Sequence, residues 1–342
     1  MNRTICFGEL MIRLNPPGFD RIVQTPVLEF NFGGTEANVA VALASLGQDA
    51  AFVSVMPDNP IAQAAINSLR RYGVDTGCVL RGGERIGIYY VERGASQRNS
   101  RVIYDRKHSA VAEADPTVYD WEKLFEGADH FHFTGITAAL SEKAASACMD
   151  ACRAAKKAGI KVSCDLNYRS ALWSEQKAGE VMRGYLPYID LLIANEEHAD
   201  HLLGVRSDDK RENELGMLCD EACADISKKL SDEYGCKSVA LTLRKTISAD
   251  DNIVGGTLYD REEGFASGRP FKLHIVDRVG GGDAFDAGLL YAEMHGLPLS
   301  ERIDLAVAAS AFKHTVPGDY CLMTEAELLA MGRGKADGRI QR

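Results

Sequence analysis

The residues most suited to chemistry lie in one segment, Asp277–Phe285, which reads Asp-Arg-Val-Gly-Gly-Gly-Asp-Ala-Phe. The segment follows a predicted strand, Phe271–Ile275, and begins a predicted helix. Three glycines allow the backbone to approach a ligand closely, and the amides at the start of the helix point outward with the helix dipole behind them. We predict that this turn stabilises negative charge on a transferring phosphoryl group, and that Asp283 takes the proton of the acceptor hydroxyl.

The same segment also has a simpler interpretation. A glycine-rich connection from strand to helix, with an acidic residue near the helix N-terminus, forms in many proteins without a catalytic role. Two other nucleotide signatures, G-x-x-x-x-G-K-[ST] and G-x-G-x-x-G, do not occur in the sequence. The pattern therefore argues against a P-loop enzyme and against a Rossmann dehydrogenase.

The elements that must position this segment follow a regular alternation of short apolar runs and amphipathic stretches. Glycine directly follows several amphipathic stretches, as in Glu142–Ala158 before Gly159 and Glu196–Leu203 before Gly204, and is typical of a left-handed helix cap. We predict an α/β fold in three layers, with a mostly parallel central sheet between two layers of helices. The other predicted strands are 51–55, 130–133, 161–165, 189–194 and 238–243, and the other predicted helices are 34–47, 61–72, 282–295 and 303–314.

One region departs from this alternation. Residues 86–92 and 101–106 are rich in β-forming residues and have no helix between them, so they predict an antiparallel hairpin. Residues 10–14 and 27–32 have a similar character and are expected to join the same small sheet. A small sheet that projects from a large α/β body is typical of a lid over a site, and we predict such a lid from residues 10–32 and 86–106.

We predict that residues 1–342 form a single domain with two polar segments. Residues 205–222 form a charged insertion that predicts a solvated loop and the start of a helix. Residues 332–342 predict a polar, frayed C-terminal tail. The insertion shows no obvious active-site pattern.

The composition argues against several classes of protein. A net charge of −10 over 342 residues is unfavourable for a general nucleic-acid surface, which needs clustered Lys and Arg. The N-terminus has no signal-peptide pattern, and no apolar run is long enough to span a bilayer, so neither nucleic acid nor membrane is an expected partner. The nine cysteines lack the spacing of a disulfide framework or a zinc site, which indicates reduced thiols and a cytoplasmic location.

Two stretches resemble a known family. Gly280–Phe285 resembles the GAGD signature of ribokinase-like (PfkB-type) sugar kinases, and Gly33–Ala40 resembles the sugar-side signature of the same family. The resemblance covers almost the whole chain and implies the ribokinase-like fold, with ATP and Mg²⁺ as cofactors. It also implies that Asp283 is the catalytic base and that the amides of Gly280, Gly281 and Gly282 form an anion hole.

Two positions depart from the family pattern. Gly281 stands where the family usually has Ala, and the change is mild because both residues leave the amide free. Asn195-Glu196-Glu197-His198 stands where the family has N-x-x-E, whose Asn and Glu organise the water shell of magnesium. Neutral imidazole is a poor substitute for a carboxylate that holds a hard cation through water. The resemblance therefore implies an indirect metal site at Asn195, with Glu197 or Glu196 as the acid.

Within this family, the stretches 8–10, 36–38, 104–106, 165–173 and 317–319 resemble 2-keto-3-deoxygluconate kinases. Residues 241–248 resemble the nucleotide-side loop of the same branch. The resemblance implies phosphorylation of the terminal hydroxyl of 2-keto-3-deoxygluconate. The implied sugar-binding residues are Gly34, Tyr89, Tyr104, Arg106, Arg169 and Asp319, and the implied ATP-binding residues are Asn167, Asn195, Thr242, Arg244 and Ser248.

The arginines in this set suit a sugar acid, because the planar fork of arginine donates two parallel hydrogen bonds to a carboxylate. Arg169 follows a predicted parallel strand, where ligands of α/β proteins bind. Other interpretations stay open on residue type alone. Arg106 with Lys107 and His108 also fits a solvated basic turn, and Tyr89 also fits an ordinary β-forming residue.

Three functions remain open from the sequence. The first is a 2-keto-3-deoxygluconate kinase, and the second is a ribokinase-like kinase for another sugar, such as fructose or 2-keto-3-deoxygalactonate. The third is a non-catalytic sugar-binding regulator, which His198 favours and the intact Asp283 opposes. A small sheet with free edges also favours association, so we expect a homodimer or a higher homo-oligomer.

Overall fold

The structure is a computed structural model that describes residues 3–336 and residue 338. In this part of the chain, ten strands form a central sheet, and the run of strands from Ser238–Thr246 to Val79–Arg81 is parallel. The predicted mostly parallel sheet is therefore confirmed. From one edge to the other, the strands are Gly264–Ser267, Asp251–Asp260, Ser238–Thr246, Leu191–Ala194, Lys161–Asp165, His130–Thr134, Arg3–Phe7, Asp49–Met56 and Val79–Arg81, with Phe271–His274 paired to Asp251–Asp260.

One edge of the central sheet is antiparallel, which the sequence did not predict. Asp251–Asp260 pairs antiparallel with Ser238–Thr246, with Gly264–Ser267 and with Phe271–His274. Residues 247–250 connect the first pair, and a connection this short cannot cross over the sheet as a parallel pairing requires. The short connection therefore determines the direction of the edge.

Helices cover both faces of the central sheet, which confirms the three layers. Successive residues of a strand point to opposite faces, so on Arg3–Phe7 the side chain of Cys6 packs into one core while Ile5 and Phe7 pack into the other. The Cys6 face is covered by Thr35–Ser45, Pro60–Arg70, Gly281–Met294, Leu299–Lys313 and Glu325–Gly332. The opposite face is covered by Ala110–Glu113, Trp121–Leu124, Gly135–Ala139, Glu142–Ala158, Glu175–Tyr185, Glu196–Leu203 and Asp220–Tyr234, with 3-10 turns at Pro116–Val118 and Leu186–Tyr188.

The helix boundaries follow local capping. The predicted helices Glu142–Ala158 and Glu196–Leu203 form with these bounds, and each ends at a glycine with φ of 73°. The side chain of Ser141 caps the first helix, and the side chain of Asn195 caps the second by accepting a hydrogen bond from the third residue of the helix. Capping of this kind explains why the sequence located these two helices well.

A second, smaller sheet has four strands among the described residues, as the sequence predicted. Met11–Asn15 pairs antiparallel with Glu29–Gly33 and parallel with Ile88–Glu92, which in turn pairs antiparallel with Arg101–Asp105. The two hairpin strands face each other in register, so Tyr89 lies opposite Tyr104. This small sheet forms one wall of the cleft described below.

The C-terminal part of the described chain ends with the helix Glu325–Gly332. Of the predicted polar tail, 332–342, residues 337 and 339–342 lie outside the described residues. None of the helices in 3–336 is both long enough and apolar enough to cross a bilayer.

Candidate active site

A cleft of about 1370 Å³ opens between the carboxyl ends of the central strands and the small sheet. Ligands of α/β proteins bind in this position, outside the carboxyl ends of parallel strands. The structure brings all of the predicted site residues to this one cleft, and their roles remain predictions. They are Gly34, Tyr89, Tyr104, Arg106, Asn167, Arg169, Asn195, Glu197, Thr242, Arg244, Ser248, Gly280, Gly281, Gly282, Asp283 and Asp319.

The glycine turn lies at the floor of the cleft and begins the helix Gly281–Met294. Gly280 has φ of 83°, a left-handed conformation that favours glycine, and its carbonyl accepts the first hydrogen bond of the helix from Ala284 at 2.9 Å. A Cβ on Gly281 would lie 2.3 Å from Cε1 of His314, whereas a Cβ on Gly282 would meet only open space. The turn is therefore open at Gly282, whereas the ring of His314 packs beside Gly281.

Asp283 follows this turn and is almost fully buried, at 8% exposure. Its Oδ2 accepts a hydrogen bond from Nδ2 of Asn38 at 2.6 Å. Burial raises the pKa of Asp283 to about 7, the hydrogen bond from Asn38 opposes this rise, and the nearby Asp319 and Asp165 add to it. A carboxylate with a pKa near neutral pH accepts a proton more readily than an ordinary aspartate, which suits a general base.

A buried charge network joins the small sheet to the glycine turn. Arg13, on the strand Met11–Asn15, is fully buried, and its two terminal nitrogens donate to Asp277 and to Asp319, each at 2.7 Å. The hydroxyl of Tyr89 donates to the other oxygen of Asp319. Burial alone would raise the pKa of Asp277, but Arg13 and Lys313 hold it below the usual range. The sequence predicted Asp319 and Tyr89 as site residues but did not identify Arg13.

Arg106 and Arg169 differ in their partners. Nε of Arg106 donates to Oε2 of Glu9 at 2.8 Å, and its guanidinium lies 5.4 Å from the ring centroid of Tyr104. Arg169 is exposed in the cleft, where it donates to the carbonyl of Tyr168 at 2.9 Å. A carboxylate already neutralises Arg106, so Arg169 is the better placed of the two to bind a carboxylate of a ligand.

The predicted metal side of the cleft contains oxygen ligands and one neutral imidazole. Oδ1 of Asn195 accepts a hydrogen bond from the amide of His198 at 2.7 Å, while Glu196 and Glu197 are exposed in the cleft. Burial and the neighbouring Glu197 raise the pKa of Glu196, which indicates that a cation near these carboxylates would be stabilising. Burial and the charge of Arg169 lower the pKa of His198 to about 4, so its ring is neutral. The two glutamates fit a water-bridged Mg²⁺, and His198 does not.

Three of the predicted nucleotide-side residues are held by local hydrogen bonds. Asn167 has φ of 37°, and its amide donates to Oδ1 of Asp165 at 3.0 Å. The hydroxyl of Thr242 donates to the carbonyl of Ala194 at 3.2 Å. The hydroxyl of Ser248 accepts from the amide of Asp251 at 2.9 Å and so closes the turn that follows its strand. These contacts fix the wall of the cleft that faces the small sheet.

The charged insertion, 205–222, for which the sequence showed no active-site pattern, borders the cleft. Several of its residues line the cleft, including Ser207 and Met217, which are 8% and 5% exposed. The many charges of the segment hid these inward-facing residues in the sequence. The segment ends, as predicted, in the start of the helix Asp220–Tyr234.

Four further residues shape the cleft, and the sequence gave different signals for each. Arg13 is a charged residue inside an apolar strand, which indicates a buried partner. Asn38 lies within the stretch 33–40 that resembles the sugar-side signature. Arg278 lies within the segment Asp277–Phe285 itself, and His314 lies at the end of a predicted helix without any local signal.

Comparison with known proteins extends along nearly the whole chain. The family model described as pfkB family carbohydrate kinase matches residues 1–325. A 2-dehydro-3-deoxygalactonokinase from Haloferax volcanii is 33% identical over 341 residues, which cover 99% of this chain and 98% of that protein. A 2-dehydro-3-deoxygluconokinase from Thermoproteus tenax is 30% identical over 326 residues, which cover 92% of this chain and 89% of that protein.

A solved structure gives the same result in three dimensions. The 2-dehydro-3-deoxygluconokinase of Thermotoga maritima superposes with a TM-score of 0.93 and is 42% identical. The superposition covers 98% of this chain and 100% of that one. The likeness therefore includes both the central sheet and the small sheet.

Proposed function

This chain belongs to the pfkB family of carbohydrate kinases, and we propose that it transfers the terminal phosphoryl group of ATP to the terminal hydroxyl of 2-keto-3-deoxygluconate. One observation carries the proposal: Asp283 and the glycine turn share a cleft with Arg169, which interacts with the charge of Asp165 but forms no ion pair among the described residues. A base, an anion hole and a free guanidinium are the groups that phosphoryl transfer to a sugar acid requires.

The proposed reaction uses Asp283 as the general base. Its carboxylate takes the proton of the sugar hydroxyl, the hydroxyl oxygen bonds to the γ-phosphorus, and the bond from that phosphorus to the ADP oxygen breaks. The amides of Gly280, Gly281 and Gly282 form the anion hole that stabilises the charge on the transferring group. The hydrogen bond from Asn38 keeps Asp283 oriented and favours its ionised form.

The proposed sugar site lies between the small sheet and Arg169. Arg169 binds the carboxylate of the sugar acid, and Tyr104 and Arg106 border the sugar from the small sheet. Gly34 lies against the backbone of Glu9, and a Cβ there would be 1.9 Å from the carbonyl oxygen of Glu9, so the chain stays close-packed at this point. Tyr89 and Asp319 also border the site, and both are already bonded within the charge network.

The proposed nucleotide site lies on the opposite side of the glycine turn. Asn167, Thr242, Arg244 and Ser248 border it. Asn195 and Glu197 would hold the water shell of Mg²⁺, which neutralises phosphate charge when it is bound. The neutral ring of His198 leaves the acidic role to Glu197 and Glu196.

The test is an ADP-release assay with Mg-ATP and a panel of sugars. The panel contains 2-keto-3-deoxygluconate, 2-keto-3-deoxygalactonate, fructose and ribose, and the position of the phosphate in the product is assigned by ³¹P–¹H NMR. We expect the highest kcat/KM for 2-keto-3-deoxygluconate, with phosphate on the terminal hydroxyl. Turnover of fructose above both sugar acids would overturn the proposal. Sugar binding without turnover of any sugar would instead favour a regulator.

The second candidate substrate is 2-keto-3-deoxygalactonate. The observation in its favour is the relative from Haloferax volcanii, a 2-dehydro-3-deoxygalactonokinase that aligns over nearly the whole chain. The two sugar acids differ in the configuration of one hydroxyl, and a site that hydrogen-bonds this hydroxyl would discriminate between them. The ratio of the two kcat/KM values in the same assay decides between the candidates.

We also propose that the protein forms a homodimer through the small sheet. The face of this sheet that points away from the cleft carries large apolar side chains, including Phe30 and Ile103, which are 47% and 53% exposed. Apolar surface of this kind is often covered by a second copy of the chain. Light scattering coupled to size exclusion should give twice the mass of one chain, and Ile103→Glu should give the monomer; a wild-type monomer would contradict the proposal.

We propose a cytoplasmic location. The nine cysteines are free thiols, and all except Cys78 are buried. Free buried thiols are typical of a reducing compartment. Fractionation of the native host with antibodies to this protein tests the location.

A further inference from the structure

Two arginines beside the glycine turn lack a carboxylate partner among the described residues. Arg244 lies on the strand Ser238–Thr246, Arg278 lies just before the turn, and both line the cleft. Although part of Arg244 is exposed in the cleft, desolvation by the surrounding protein and the charge of Arg278 lower its pKa to about 9. Desolvation also lowers the pKa of Arg278. The two guanidinium groups therefore lie close enough for the charge of Arg278 to act on Arg244, and neither forms an ion pair among the described residues.

His314 lies behind this pair and contacts Arg244. The ring is fully buried, Nδ1 is 2.6 Å from the carbonyl oxygen of Ser310, and Nε2 is 3.4 Å from Nη2 of Arg244. A guanidinium can only donate, so Nε2 must accept and Nδ1 must carry the proton. The ring also fills the space beside Gly281, where a Cβ would lie 2.3 Å from it. His314 thus contacts both the arginine and the glycine turn.

We propose that Arg244 and Arg278 form an anion clamp for the terminal phosphates of the nucleotide, and that His314 is the positioning residue that orients Arg244. The proposal rests on the phosphoryl transfer inferred above and adds Arg278 and His314 to the residues that support it. Below, "the clamp" refers to Arg244 and Arg278.

Three physical arguments support the clamp. An anion between two like charges removes their repulsion, so the pair favours a phosphate ligand over an empty cleft. Guanidinium groups also donate parallel hydrogen bonds to phosphate oxygens, which an ammonium cannot do with the same geometry. His198 stands in place of an acidic metal-shell residue, and the clamp supplies positive charge that does not depend on that shell.

The direct test is a calorimetric titration of the full-length protein with sodium tripolyphosphate in EDTA. We expect the wild-type protein to bind it, and Arg244→Ala and Arg278→Ala each to weaken binding about tenfold or more. The control is Arg206→Ala, which removes another exposed arginine that lines the cleft. Binding that is absent in the wild type, or weakened equally in all three variants, would overturn the clamp.

The positioning role of His314 needs a separate pair of variants. His314→Gln keeps an acceptor toward Arg244, whereas His314→Leu fills the space without one. At matched unfolding midpoints, we expect His314→Leu to weaken tripolyphosphate binding by about as much as Arg244→Ala, and His314→Gln to retain most of the affinity. If both variants weaken tripolyphosphate binding equally, His314 only fills space and the positioning role is wrong.

The clamp and the proposed function can fail separately. A protein that binds tripolyphosphate through these arginines but phosphorylates no sugar would disprove the kinase proposal and keep the clamp. A protein that phosphorylates a sugar with an unchanged kcat/KM for ATP in Arg244→Ala and Arg278→Ala would disprove the clamp alone. The titration and the ADP-release assay are therefore run on the same preparations.

Discussion

The arginines Arg13 and Arg106 on the small-sheet wall of the cleft are buried and form ion pairs, whereas those on the opposite wall are open to the cleft and form no ion pair among the described residues. On the small-sheet wall, Arg13 bonds to Asp277 and Asp319, and Arg106 bonds to Glu9. The contact of Arg13 with Asp277 links the small sheet to the segment that leads into the glycine turn. A paired arginine of this kind holds two parts of the fold together and has little positive charge left for a ligand.

The opposite wall carries three arginines that form no ion pair among the described residues, and their positive charge is available to a ligand. They are Arg169, Arg244 and Arg278. All three are exposed in the cleft. The substrates of the proposed reaction are both anions, a sugar carboxylate and a polyphosphate, so unpaired arginines are where such ligands would bind. The comparison shows that the role of an arginine in a cleft, structural or ligand-binding, depends on the partners it already has and not on residue type alone.

The largest expected effect is a loss of turnover that leaves ligand binding by the arginines of both walls unchanged. Asp283→Asn should reduce kcat by about 10²–10⁴-fold, because the amide cannot take the proton of the sugar hydroxyl. The ADP-release assay at saturating ATP and sugar measures this loss. Binding of ATP, measured by calorimetry, should change little because both arginine walls remain intact.

The outcome that contradicts this assignment is a variant with near-normal kcat. Loss of ATP binding in Asp283→Asn would contradict it in a different way, since the change would then act through the fold of the turn. A matched thermal unfolding curve for wild type and variant distinguishes the two cases.

The second effect concerns the small-sheet wall of the cleft, whose arginines form ion pairs. Arg13→Met should lower the free energy of unfolding by about 3–5 kcal/mol, because it removes the ion-pair partner of buried Asp319 and the shorter of the two ion pairs of buried Asp277, which keeps only Arg93. Urea denaturation at neutral pH measures the change. The control is Lys157→Met, which removes an exposed ion pair with Glu122 and should leave the unfolding midpoint unchanged. Equal midpoints in Arg13→Met and wild type would show that the network does not hold the walls together.

The sequence was sufficient for the parts of the fold that depend on local signals. The helices Glu142–Ala158 and Glu196–Leu203 were predicted with their observed bounds, since each has a capping residue at its start and a glycine at its end. The hairpin was predicted from residue type alone. The glycine turn was found because Gly280, Gly281 and Gly282 are adjacent in the chain.

The parts that depend on distant contacts were not predictable from local pattern. The partners of Arg13 lie 264 and 306 residues away along the chain, so no local pattern could identify them. Whether an arginine is paired or open is a property of the folded protein, so the sequence could favour Arg169 by its position after a strand but could not show that Arg106 is paired with Glu9. His314 gave no signal at all, because its role depends on the space left by Gly281.

The third prediction tests Arg169, which lies on the wall of the cleft opposite the small sheet. Arg169→Leu should raise KM for 2-keto-3-deoxygluconate by about 10–100-fold, because a hydrogen bond between charged groups is lost. Binding of a neutral analogue that lacks the carboxylate should change little. Initial rates with the acid, and calorimetry with the analogue, measure the two effects. Equal weakening for both ligands would remove Arg169 from carboxylate binding and leave the paired Arg106 as the remaining candidate.

The smallest expected effect is a shift in pH dependence. In the proposed reaction ionised Asp283 is the base, and its pKa of about 7 predicts that kcat/KM rises with pH through the neutral range. Asn38→Ala removes a hydrogen bond that stabilises the ionised form, so the pKa rises and the rising limb moves to higher pH. The variant should therefore be slower than wild type at pH 7 and approach it at alkaline pH. A loss of rate that is the same at every pH would instead mean that Asn38 only supports the fold of the cleft.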